Sequence, residues 1–171
     1  MAEPTHWMLV SGADNFERSR TQGFKLAGMK SRHYKKAERV RPGDKVVFYL
    51  TGIQKFGGTA QATSRFFEDH TPLWASKKAG EDYPYRFKIK PDIILDPLQF
   101  LPSDVMARQM TYTKKWPTQH WRLAFQGNVH VLPKEDFDLI RKEMHASAKA
   151  TVRSPSGRTA TQEKRLPVGS A

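Results

Sequence analysis

The stretch RVRPGDKVVFYL, Arg39–Leu50, decides how the chain is read. Pro42-Gly43 is a turn signal: proline presets φ for the first central position and glycine accepts the positive φ of the second. It ends whatever precedes it. The next residues, DKVVFYL, are β-branched and aromatic and read as a strand leaving the turn. Upstream, HWMLV is another short strand, with Trp7 beside a predicted edge. Asp14 is positioned to cap a first helix through Arg20, and Ser31 a second short one, RHYKKAERV, stopped by Pro42-Gly43. Downstream, KFGGTAQATSRFF is a second strand whose paired glycines predict a bulge or a close backbone approach. YRFKIKP alternates, with Tyr85, Phe87 and Ile89 on one face and Arg86, Lys88 and Lys90 on the other, so it predicts a half-exposed strand with a basic outer face. DIILDPLQFL carries it into a turn, and Ser103 can cap a short helix. WRLAFQG reads as a further strand. LPKEDFDLIRKEMH reads as a helix: Pro133 near its first turn, Glu135 and Asp136 at the positive dipole end, and Phe137, Ile140 and Met144 as an inward stripe. Short strands with helices between them predict an α+β chain built as a small mixed β-barrel, partly open and flanked by short helices.

The chain has 171 residues and 38% hydrophobic content, enough for one domain plus tails. No apolar run approaches the ~20 residues that span a bilayer. MAEPTHWMLV is neither a signal peptide nor an Arg-rich transit peptide, and the expected location is cytoplasmic. There are no cysteines, which removes disulfides, Cys–zinc sites and thiol chemistry. From Ala146 to Ala171 the chain is Ser, Thr, Ala, Gly and Pro with scattered charge and no apolar period. That composition predicts a domain over residues 1–145 and a disordered basic C-terminal tail over 146–171. The tail carries five basic residues against Glu163, so the domain keeps about two-thirds of the net charge of +12. With a pI near 10.0, the field attracts polyanions, nucleic acid first.

GFKLAGMKSRHYKK, Gly23–Lys36, sharpens this. It holds five Lys or Arg and no acid, with Phe24, Met29, His33 and Tyr34 between the charges. It is either a solvated basic loop or a surface for something negative and flat. Nothing favours metal chemistry: the six His are scattered, and His120 and His130 flank a predicted strand without helical metal spacing. There is no GxSxG, HExxH or phosphate-loop motif, and no visible nucleophile, base and orienter trio. No metal or cofactor is expected. Trp121, opening a predicted strand, reads as core. Trp74 lies in a polar loop after Pro-Leu, either as a plug or as a ligand wall. Trp116 and Trp121 stand beside the KKW and HWR cations and are the alternative walls.

The succession HWMLVSG, GFKLAG, RVRPGDKVVFYL, FGGTAQATSRFF, YPYRFKIKP and W…FQG…LPKEDFDLI resembles the EVE domain, a PUA-like fold related to YTH domains, from about Trp7 to Arg141. The resemblance implies a partly open barrel that binds nucleic acid and takes a modified base, flipped out, into an aromatic pocket. Carried over by position, Ser11 stands at the pocket mouth. Phe24 stands where these families usually have Trp and forms one wall, with a smaller face. Trp74 is the second wall. Lys25, Lys30, Arg32, Lys35 and Lys36 surround the first wall, and Arg86 and Lys88 add to the phosphate-binding surface. The expected function is thus a non-enzymatic reader of modified DNA or RNA, favoured as a monomer. The alternatives are a PUA-like hydrolase of small amides or RNA, or a small-molecule or protein-binding module using the same pocket.

Overall fold

The computed structural model describes residues 3–153. In chain order the elements are β1 (His6–Gly12), α1 (Ala13–Thr21), β2 (Leu26–Met29), α2 (Tyr34–Ala37), β3 (Lys45–Thr51), β4 (Lys55–Ala62), β5 (Phe67–Glu68), β6 (Tyr85–Ile94), β7 (Leu101–Pro102), α3 (Ser103–Ala107), β8 (Val129–Leu132) and α4 (Lys134–Arg153). Single 3₁₀ turns occupy Ser31–His33, Pro97–Gln99 and Tyr112–Lys115, and a longer kinked one runs over Thr118–Phe125. The sheet order is β2-β6-β4-β3-β1-β8, with β5 on β6 and β7 on β4. Among the described residues only the β1–β3 pair is parallel. The sheet curls into a half-barrel: Lys36, just past β2 at one end, donates its Nζ to the Val129 carbonyl of β8 at the other, at 2.9 Å.

The Pro-Gly turn anchors this arrangement. Gly43 has φ +98°, as the second central position of a type II turn requires. Asp44, buried, then collects three donors: the Trp7 indole N–H at 2.9 Å and the backbone N–H groups of Thr5 at 2.9 Å and Arg41 at 3.0 Å. One carboxylate therefore ties the start of β1 to the start of β3 and sets their parallel register. Trp7 is fully buried on β1, an interior strand, opposite Val131 of the terminal strand β8.

The paired glycines do make a bulge. Phe48 faces Gly58 and Tyr49 faces Phe56, so Gly57 is the extra residue. A side chain at Gly57 would meet the Phe16 ring at 2.9 Å, and one at Gly58 the Ile93 carbonyl at 2.7 Å. A second irregularity, between Thr59 and Ala60 on β4, leaves Asp92 unpaired on β6. Its carboxylate accepts from the Arg141 guanidinium at 2.7 Å and the Thr59 hydroxyl at 2.8 Å, pinning α4 to the sheet. The Arg141 hydrogen bond holds this carboxyl below the usual carboxylate range.

Four local expectations need correction. Residues 121–125 of WRLAFQG lie in 3₁₀ turns, and the strand comes later, at β8. Pro117 starts the segment with the φ of a first helical turn, and the apolar run is too short to distinguish strand from helix by periodicity. Asp14 and Ser31 lie inside their helical segments and do not cap them. Ser103 is the first residue of α3, and its hydroxyl bonds the Gln54 carbonyl at 2.9 Å and Tyr49 Oη at 3.1 Å. Finally, α4 runs on through Arg153, eight residues past the expected boundary at His145. Phe137, Ile140 and Met144 form its buried stripe as expected. The stripe continues into Ala148, which packs on the core, and Ser147, whose Oγ donates to the Gln99 carbonyl at 2.7 Å. The rest of the expected tail lies outside the described residues.

Candidate nucleic-acid interface

Two connected hollows open between the end of β1, α1, β2 and the long β5–β6 connection. The inner one measures about 40 Å³ and is lined largely by apolar groups: Leu9, Phe16, Leu26, Ala27, Phe48 and the Trp74 ring among them. The outer basin measures about 820 Å³. Val10, Ser11, Asn15, Tyr83 and Asn128 line both and form the neck between them.

Each neck residue is fixed by a local cause. Asn15, on α1, clamps the β5–β6 connection from both sides: its Nδ2 donates to the Ala75 carbonyl at 2.8 Å and its Oδ1 accepts from the Ala75 N–H at 2.9 Å. Beside that clamp, the Trp74 indole N–H donates to Ser19 Oγ at 2.9 Å. The indole lies against Gly28, where an added Cβ would sit 2.6 Å from Cζ3. Tyr83 meets Trp74 edge-on at 5.9 Å. Among the described residues Ser11 Oγ makes only a long 3.4 Å contact to the Gly12 carbonyl, which leaves its hydroxyl able to bond a ligand. Asn128 donates its Nδ2 to the Val10 carbonyl at 2.8 Å, while its Oδ1 is buried with no hydrogen-bond partner among the described residues. Such an unsatisfied acceptor costs ~1–3 kcal/mol.

Of the expected walls, Trp74 and Ser11 line the hollows. Phe24 does not. A positive φ of 52° turns its ring inward, where it packs at 4.9 Å on Phe16 and 5.9 Å on Phe48 and is 4% exposed. Both of those neighbours line the inner cavity, so Phe24 supports the lining from behind. Trp116 packs on Tyr112 at 5.5 Å, and Trp121 stands edge-on to Phe125 at 5.8 Å; neither lines the inner cavity.

The cations are rearranged too. Arg86 is 2% exposed and not on an outer basic face, because β2, β5 and the β5–β6 connection cover that part of β6. Its guanidinium lies 5.3 Å over the Trp74 ring and donates to the Tyr83 carbonyl at 3.0 Å and to the Thr71 carbonyl. It positions the wall and cannot reach phosphate. Lys30 and Arg32 line the basin, sharing Glu81 at 2.8 and 3.9 Å; the Lys30 hydrogen bond holds the Glu81 carboxyl below its ordinary range. His33, among Lys36, Arg32 and Lys30, is pushed down to about 4, first by burial and then by those charges. Lys36 is committed to the Val129 carbonyl, while Lys25, Lys35 and Lys88 are exposed but off the basin.

Sequence reasoning missed Asn15, Tyr83, Asn128 and two basin cations, Lys77 and Lys78; Arg122, noted there as the cation of HWR beside Trp121, lines the basin with them, and none of these three cations has a carboxylate partner among the described residues. One signal was available: Lys77-Lys78 follows Trp74 by three positions. Among the described residues no cluster of His, Asp or Glu could hold a metal ion, and no helix is long and apolar enough to cross a membrane.

The fold is that of the YTH domains. It superposes on the YTH domain of mmi1 in complex with RNA with a TM-score of 0.63, covering 88% of this chain and 87% of that one at 8% identity. It also superposes on the YTH domain of Zygosaccharomyces rouxii MRB1 in complex with N6-methyladenosine RNA, with a TM-score of 0.60, 84% and 88% coverage and 14% identity. Within that class, the chain matches the EVE domain over residues 5–143 and belongs to that family. UPF0310 proteins of Pyrococcus abyssi and Pyrococcus horikoshii are 28% and 29% identical to it, over 80% and 81% of this chain and 96% and 97% of theirs.

Proposed function

We propose that this EVE domain is a non-enzymatic reader of single-stranded nucleic acid that takes one modified base, flipped out, into the neck between Trp74 and Asn128. One observation carries the reading: an aromatic-walled neck opens directly onto a basin whose rim holds Lys77, Lys78 and Arg122, without carboxylate partners among the described residues. Phosphate contacts supply affinity and position, and the neck supplies discrimination. The two YTH neighbours in complex with RNA favour RNA as the polymer.

The sizes suit a modified base. The inner cavity has room for one or two water-sized groups, so it can take a substituent at a base edge but not a whole ring. The ring itself would occupy the neck, against Trp74. Flipping costs a few kcal/mol, and stacking returns ~1–3 kcal/mol per base, so the remainder must come from polar contacts at the base edge. Ser11 Oγ and the Oδ1 of Asn128 are placed to make them.

The test is a binding series over short single-stranded RNA and DNA oligonucleotides, each with one central base either plain or carrying a methyl group. One modified base is expected to bind at least tenfold more tightly than its plain counterpart. Trp74→Ala should cost ~1–3 kcal/mol on that base and shrink the preference. A flat series, with Trp74→Ala binding like the parent protein, sinks the proposal.

A further inference from the structure

The basin is also lined by Thr51, Gly52, Gln54, Arg122 and Phe125, which come from elements other than α1 and the β5–β6 connection and form a second part of its rim. Arg122 is the cation of this part. The guanidinium lies 4.6 Å over the Trp121 ring, close enough for a cation–π stack, with its Nε 3.3 Å from Gln54 Oε1. Trp121 is held in turn: it stands edge-on to Phe125, which stacks on Tyr49 at 4.7 Å and 18°. Tyr49 and Phe125 both line the basin. Arg122 is therefore exposed, free of carboxylates among the described residues, and backed on one face by an aromatic ring fixed to the core.

From this geometry we infer that Arg122, backed by Trp121, is a stacking platform for a nucleobase next to the inserted one. The inference rests on the function proposed above and extends it to the length and strandedness of the ligand. A guanidinium is flat and weakly hydrated, so its inner face can lie on an indole while its outer face receives a base. Lysine cannot do this, being a compact charge without a face. A paired duplex cannot use such a platform either, because its base faces are already stacked. The ligand is then a single strand that runs through the basin from Lys77 and Lys78 to Arg122, with one base in the neck and a neighbour on Arg122.

Calorimetric affinities for three ligands test this: the nucleoside monophosphate of the preferred base, a pentanucleotide carrying it centrally, and the same pentanucleotide with abasic flanks. For the parent protein, the full pentanucleotide should bind more tightly than its abasic form. Arg122→Ala should leave the monophosphate within twofold and weaken the full pentanucleotide about tenfold. Arg122→Lys should retain the salt dependence of the parent protein, yet bind the full and abasic pentanucleotides alike. The inference is overturned if Arg122→Lys restores full affinity, which would make Arg122 a charge only, or if abasic flanks cost the parent protein nothing. Should the monophosphate and pentanucleotides show no base preference and Trp74→Ala change nothing, the neck reading falls and this inference falls with it. A neck that still discriminates beside an indifferent Arg122 removes the platform alone.

Discussion

Gly28 shows how a single residue places the pocket wall. The Trp74 indole occupies the space a side chain at position 28 would need, 2.6 Å from an ideal Cβ. Gly28→Val should therefore displace the indole. It should lower affinity for the preferred modified base by ~1–3 kcal/mol, as removal of the ring would. The two effects should not add in the double variant with Trp74→Ala, because both remove the same contact. Full additivity would show that Gly28 acts elsewhere. Chemistry at this scale was only partly legible. Trp74 stood out as an aromatic in a polar loop, whereas the Asp44 carboxylate that ties β1 to β3 did not. Arg86 misled, because alternation along YRFKIKP reports which side chains share a face, and not that the β5–β6 connection later covers that face. Phe24 misled for a related reason: its position along the chain suited a wall, but its positive φ points the ring into the core.

At the scale of elements, the sequence revealed strands best where β-branched residues come directly after a turn, as in β3, and helices best where an apolar stripe has an acidic start. The same reasoning stopped α4 too early. Ala146, Ser147 and Ala148 are small, so composition reads them as tail, yet Ala is the best helix former and the helix had only to continue. Once extended, it gains the Ser147–Gln99 hydrogen bond and the packing of Ala148 on the core. Truncation after His145 should then cost about 1 kcal/mol or more and lower Tm by ~2–4 °C relative to a chain ending at Arg153. Equal Tm values for the two chains would mean that the turns beyond His145 contribute nothing to stability.

Across the whole molecule, the net charge of +12 pointed to a polyanion, but charge has no address until the chain folds. The cations that looked clustered in GFKLAGMKSRHYKK are dispersed: Lys36 caps a strand carbonyl, Lys30 and Arg32 meet Glu81, and Lys25 lies off the basin. The basin draws its cations from segments far apart in sequence: Lys30 and Arg32, which share Glu81, and Lys77, Lys78 and Arg122, which have no carboxylate partner among the described residues. Salt dependence measures this directly, since each phosphate neutralised on a single strand contributes about −0.7 to the slope of log K against log salt. Lys77→Ala with Lys78→Ala should flatten the slope by about 1.4 for every oligonucleotide, while the preference for the modified base persists, because neither residue reaches the neck. Lys25→Ala with Lys88→Ala removes the same charge from exposed positions off the basin and should leave the slope unchanged. The opposite pattern would move the strand to the β2–β6 face, away from Trp74. Equal flattening by both pairs would mean that the general field, and not the basin, holds the phosphates.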